Sequence, residues 1–183
     1  MRLLAFAASN SSRSINRRLV DHAVELLEGG LVPDVTVDTI DLNDFEMPIY
    51  SIDRQEADGI PQEAHDFRAA IGRSDGLLIS FAEHNGSYTT AFKNLFDWTS
   101  RIDLRVYQDK PGVFFATSPG SRGGRGVLET AVAVAPFFGC DVRASLSIPS
   151  FHQHVDEATG ALTDPELAER LRDALLTLAP SDG

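Results

Sequence analysis

Ser9-Asn10-Ser11-Ser12-Arg13-Ser14-Ile15-Asn16 decides how this chain is read. Directly before it runs Leu3-Leu4-Ala5-Phe6-Ala7-Ala8, an apolar stretch without alternation, the pattern of a strand buried on both faces. Directly after it, Leu19, Ala23, Leu26 and Leu27 recur at helical spacing. The stretch is therefore a turn of hydroxyls and amides between the carboxyl end of a strand and the amino end of a helix. Backbone N–H groups and the positive end of the helix dipole face such a turn, which suits it to a phosphate. Ser9, Ser12, Ser14 and Asn16 can add neutral donors. Helix capping by Ser14 or Asn16 is the simpler account of the same residues. The rest of the chain has to choose between the two.

The 183 residues suffice for one domain with a sizeable core. A hydrophobic content of 43% with 23% charged residues is that of an ordinary globular protein. The net charge of −11, with no long basic run, argues against nucleic acid or an anionic membrane surface as partner. It leaves room for one phosphate held by local N–H groups. Cys140 has no second cysteine to pair with, reads as a small core residue, and fits a reducing compartment. No apolar run approaches the roughly 20 residues of a membrane span. Residues 3–8 are shorter than the roughly 7–15-residue apolar region of a secretory signal. The expected location is the cytoplasm.

Further strands are expected at 34–42, 75–81, 111–117 and 142–148, the first of them an exposed edge. Helices are expected at 61–73, at 91–102 behind a Thr89 or Thr90 cap, at 126–138 with Pro136 ending or kinking it, and at 165–178. Gly29-Gly30 should stop the first helix, and 43–60 reads as a long irregular link. Strands alternating with helices specify an α/β fold: a five-stranded parallel sheet with helices on both faces. Ligands of such sheets bind beyond the carboxyl ends of the strands. The polar loops 9–16, 82–88 and 118–124 would share that rim, which is more than capping requires.

Taken together, residues 2–150 resemble the NADPH-dependent FMN reductase family of flavodoxin-like proteins, which includes quinone, azo-dye and chromate reductases. Ser9, Ser14 and Asn16 stand where that family's first loop, G-S-x-R-x-x-S-x-N, has its Ser, Ser and Asn. Glu83, Asn85 and Gly86, followed by Lys93-Asn94 and Asp97-Trp98, look like its P-E-Y-N-G…K-N-x-x-D-W segment. Ser118-Pro119-Gly120 with Gly123-Gly124 is similar to its last flavin-contacting loop. The chain departs from the pattern at Ala8 and Ser11, where the family has Gly and Arg, and at Ala82 and His84, where it has Pro and Tyr.

The resemblance implies a flavodoxin-like three-layer sandwich with strand order 2-1-3-4-5, one FMN-binding domain over residues 1–183, and FMN as cofactor with NADPH or NADH as donor. It places the phosphate against Ser9, Ser11, Ser12, Ser14, Ile15 and Asn16. The ring would lie over Ala82, Glu83, His84, Asn85 and Gly86, and over Ser118, Pro119, Gly120 and Gly123. It further implies a small-molecule acceptor and a homodimer or homotetramer. FMN carries the redox chemistry, so no catalytic side chain and no metal are expected, with His84 as the candidate proton donor. A solvent-facing loop residue is the plainer account of His84. With no G-x-G-x-x-G turn to hold a dinucleotide separately, donor and acceptor would take turns at one ring face.

Other residues read more plainly. Glu83 is a catalytic candidate, but a structural hydrogen bond to neighbouring backbone is the plainer account; Lys93 and Asp97 can pair at i, i+4, and His152-Gln153-His154 reads as a surface loop. Trp98 reads as core or subunit contact. Phe92, Leu95, Phe96 and Trp98 exceed one core-facing stripe, so the surplus face is expected to meet a partner subunit. Arg122 and Arg125 are either solvated or contacts for a pyridine-nucleotide phosphate. Two other classes stay open: a flavodoxin-like electron carrier with no NAD(P)H site, and a cofactor-free α/β binding module.

Overall fold

The computed structural model describes residues 1–156 and 159–180. The chain begins with β1 (Arg2–Ala8), α1 (Ile15–Leu26) and β2 (Thr36–Thr39). Two helices follow, α2 (Ile52–Asp58) and α3 (Gln62–Gly72), and then β3 (Gly76–Phe81). A hairpin of β4 (Glu83–His84) and β5 (Ser87–Tyr88) leads into α4 (Thr90–Ile102) and β6 (Lys110–Thr117). Last come α5 (Arg125–Val134), β7 (Cys140–Ile148), the short α6 (Phe151–His154) and α7 (Pro165–Leu176).

The main sheet is parallel and ordered β2-β1-β3-β6-β7. Counting only these strands, that is the 2-1-3-4-5 order expected. The unbroken apolar runs follow from burial on both faces. In β1, Leu4, Phe6 and Ala8 join a core with residues of α3, α4 and α5, whereas Leu3, Ala5 and Ala7 join a core with residues of α1 and α7. Among paired residues, Ala8 stands beside Phe81, Phe81 beside Ala116, and Thr117 beside Ile148. The strands therefore end level, and the loops after β1, β3 and β6 rise from one rim.

Several expectations are corrected. Strand β2 is shorter than 34–42, because Asp34 is left-handed at φ 53° and cannot extend it. The link 43–60 is not irregular throughout: it opens inside a 3₁₀ turn, Leu42–Phe45, and contains helix α2. That helix buries no residue, so it lacks the apolar period that reveals a helix; Ser51 caps it and Gly59 at φ 80° ends it. Loop 82–88 is a hairpin turning on Asn85 (φ 53°) and Gly86 (φ 77°). Asn-Gly is the dipeptide that supplies two left-handed residues to such a turn. Residues 152–154 lie in α6 rather than in an open loop, and His154 Nδ1 stands 3.7 Å from Asp164. Helix α5 gives way at Ala135 to a 3₁₀ turn containing Pro136.

The apolar excess of α4 does not make a free face. Phe92, Leu95 and Trp98 are buried within this chain. Phe96 packs edge-on against Phe138, with ring centres 4.8 Å apart. Trp98 donates from Nε1 to the Pro48 carbonyl at 2.7 Å and meets Tyr50 edge-on. Asn94 accepts from Tyr50 N–H and donates to the Met47 and Pro48 carbonyls. The helix thus ties residues 47–50 down beside the rim.

Candidate functional site

Ser14 is the N-cap of α1, and its Oγ accepts from Arg17 N–H at 3.2 Å. Ser9 is buried, and its Oγ accepts from Ser11 N–H; Ser11 Oγ in turn accepts from Arg13 N–H. These bonds set the turn but leave donors over. Among the described residues, the N–H groups of Ser12, Ile15 and Asn16 have no partner. Ser11 and Ser12 are exposed, no acidic residue lies in the first turn of α1, and the Arg13 side chain has no ion pair among the described residues. Arg17 by contrast pairs with Asp21 at 2.8 Å. Unsatisfied donors at a helix N-terminus beside an unpaired cation fit a phosphate monoester. Capping occupies Ser14 Oγ and leaves these N–H groups open, so the two roles fall on different atoms.

Asn16 plays another part. Its Oδ1 accepts from Ser80 Oγ at 2.8 Å and from Thr117 N–H at 3.1 Å, and its Nδ2 donates to the Thr117 carbonyl at 3.2 Å. One buried amide therefore locks the start of α1 to the ends of β3 and β6. Its backbone N–H, not its side chain, faces the turn as a spare donor. Thr89 performs the matching task between the first and second loops. It caps α4 by accepting from Phe92 N–H and donates to the Ala8 carbonyl at 2.9 Å. Ser80, Thr89 and Thr117 were legible only as strand or cap residues, because their partners are remote in sequence.

On the second loop Ala82 is buried, Glu83 is half-buried, and His84, Asn85 and Gly86 are exposed. Glu83 Oε1 accepts from Val127 N–H at 3.1 Å, in the first turn of α5. The bond is structural, but it reaches the remote backbone of α5 rather than the neighbouring backbone expected, and it couples the second loop to the helix after the third. The N–H groups of Asn85 and Gly86 have no partner among the described residues. On the third loop Ser118, Pro119 and Gly120 stand clear of the core, while Gly123 is buried. The Ser118 and Gly120 carbonyls accept from Phe151 and Ser150 N–H, which fixes the loop against the segment after β7. All three loops are thus joined by named hydrogen bonds, and each still offers open backbone.

His84 helps line a cavity of about 290 Å³ with Asn10, Thr89, Asn94 and Met47. Tyr88 is half-buried, and burial pushes its phenol up to about 12, so it stays neutral at physiological pH. Burial likewise pushes the Cys140 thiol up to about 12, which keeps it unreactive and agrees with a core residue. Lys93 and Asp97 pair at 2.6 Å on the exposed side of α4.

No helix among the described residues is long and apolar enough to cross a membrane. The chain is 29% identical to an NADPH:quinone oxidoreductase of Arabidopsis thaliana over 97% of its length and 90% of the relative's. It is 27% identical to an NAD(P)H:quinone oxidoreductase of Solanum tuberosum over 90% of its length and 84% of the relative's. Its fold is similar to that of the flavoenzyme NAD(P)H:(acceptor) oxidoreductase FerB from Paracoccus denitrificans, with a TM-score of 0.74, 24% identity, and 97% and 94% of the two chains covered. The family model described as NADPH-dependent FMN reductase matches residues 1–153. With a five-stranded flavodoxin-like sheet and a phosphate-ready turn at its rim, this chain belongs to the NADPH-dependent FMN reductase family.

Proposed function

We propose that this protein is a cytoplasmic flavin oxidoreductase, built as one flavodoxin-like domain, that uses NAD(P)H to reduce quinones, azo compounds, flavins or similar small acceptors. The observation that carries the reading is the set of spare N–H donors at Ser12, Ile15 and Asn16, on the same rim as the open loops after β3 and β6. The first loop would hold the phosphate of FMN, with Ser9, Ser11 and Ser14 shaping it. The exposed N–H groups of Asn85 and Gly86, and the loop of Ser118, Pro119, Gly120 and Gly123, would bed the ring. When bound, FMN supplies the hydride chemistry.

The chain's own residues bind, orient and tune. N–H donors aimed at the polar edge of a ring stabilise negative charge there. Glu83, anchored to α5, keeps the hairpin in place. His84, Tyr88 and Arg122 stand near the rim and would select among acceptors. Donor and acceptor share one open face, so they take turns, and initial rates over a grid of both should give parallel double-reciprocal lines. The deciding experiment is a visible spectrum of the purified protein before and after anaerobic NADPH or NADH. A flavin band bleached by either nucleotide is expected. A colourless protein that takes up no FMN would establish a binding module instead. A flavin band that neither nucleotide bleaches would establish an electron carrier.

The protein is further proposed to be a homodimer or homotetramer, closed cyclic or dihedral symmetry being the usual form of soluble oligomers. Phe137, 71% exposed, supports this; it stands beside Phe138, which lines an apolar cleft of about 200 Å³ between α4 and α5. Light scattering that gives a monomer mass at micromolar concentration would contradict it.

A further inference from the structure

A cavity beside the third loop lies toward β7, away from the turn after β1. It has a volume of about 540 Å³ and is lined by Arg122, Arg125 and Arg170, with Leu128, Val132 and Leu167 as apolar lining. That is the size range of a small-ligand pocket. It wraps the β7 edge of the sheet, with α5 on one face and α7 on the other. Five other arginines of this acidic chain are ion-paired: Arg2 with Asp38, Arg17 with Asp21, Arg68 with Asp103, Arg105 with Asp109 and Arg143 with Asp141. Arg122, Arg125 and Arg170 have no ion pair or side-chain hydrogen bond among the described residues, although Glu129 lines the same cavity one turn after Arg125. Three partnerless guanidinium groups around one apolar-walled cavity, in a chain of net charge −11, call for an anion carried on a flat apolar group.

We infer that this cavity takes the adenosine end of NADPH, with the 2′-phosphate among Arg122, Arg125 and Arg170 and the adenine against Leu128, Val132 and Leu167. Arg122 and Ser121 belong both to the cavity and to the third loop, so a nucleotide seated here continues onto the rim. Glu129 is then a ribose hydroxyl acceptor and a repulsive neighbour for a misplaced phosphate. The consequence is a donor preference for NADPH over NADH. The inference rests on the reductase reading above, and its test separates the two.

The test uses the FMN-loaded protein and calorimetry with adenosine 2′,5′-bisphosphate, 5′-AMP and inorganic phosphate. The bisphosphate should bind more tightly than either of the others. Arg170→Gln should weaken it about tenfold, the worth of one charge-assisted hydrogen bond, and lower the NADPH:NADH ratio of kcat/KM by a similar factor. Arg73→Gln removes an unpaired cation at the opposite end of the sheet and should change neither quantity. An unchanged ratio in Arg170→Gln, or equal affinity for phosphate alone and for the bisphosphate, would overturn the assignment while leaving the reductase intact. Arginine-dependent bisphosphate binding to a protein that takes no FMN would support the cavity and remove the reductase reading.

Discussion

At Ser14 the side-chain oxygen accepts from Arg17 N–H, while the N–H groups of Ile15 and Asn16 beside it remain unpartnered among the described residues. Aspartate caps a helix as well as serine does. Ser14→Asp therefore keeps the cap and sets a carboxylate against any phosphate held by those N–H groups. At contact distance in a partly screened site, like charges oppose each other by several kcal/mol, so FMN affinity should fall about a hundredfold or more. Flavin fluorescence titration measures the loss, and thermal melting of the flavin-free protein should show no drop. Equal FMN affinity in the variant would remove the phosphate from this turn. Of the two readings of Ser14 drawn from sequence, the structure shows the cap; the phosphate contact remains a proposal, compatible with the cap because it would use other atoms.

Two glycines show how element geometry sets the cost of a side chain. Gly123 has φ 59°, and a Cβ there would stand 2.5 Å from Ser147 Oγ and 2.8 Å from the Ile148 carbonyl carbon. Gly86 has φ 77° but open space around it. Gly123→Ala should cost about 3 kcal/mol, strain plus collision, whereas Gly86→Ala should cost about 1 kcal/mol from backbone strain alone. Urea unfolding distinguishes them; equal losses would mean that the third loop does not press on β7. At this scale the strands buried on both faces were plain in the sequence, because Leu3 to Ala8 admits little else. Helix α2 was hidden because it buries nothing, and the hairpin was hidden although Asn85-Gly86 announced it. Arg170 gave no local signal at all: only the fold carries a residue of α7 to a cavity beside the third loop.

Across the whole molecule, one histidine gives stability a pH dependence. His22, on α1, has Nδ1 buried without a hydrogen bond among the described residues. Desolvation lowers its pKa from the ordinary 6.5; Glu25, 3.9 Å away, opposes the shift, and Arg172 adds to it. Below pH 6.5 the unfolded chain takes up a proton at this site before the folded chain does. The contribution of neutral His22 is therefore complete above pH 6.5 and is lost as pH falls toward the lowered value. Denaturant midpoints of the wild type and His22→Gln, compared from pH 7.5 to 5.5, should converge on the acid side; a constant gap would show that the ring is hydrated.

The Asn16 amide has a consequence for the order in which the protein comes into being. Its partners Ser80 and Thr117 lie 64 and 101 residues further along the chain. Closing loops of that length is slow compared with forming a local turn. The first strand and helix leave the ribosome early, yet the turn between them is not locked until β3 and β6 have docked. On the function proposed above, a flavin held at that turn would be captured only by chains that have finished closing the sheet, and a truncated nascent chain would have no means of keeping one.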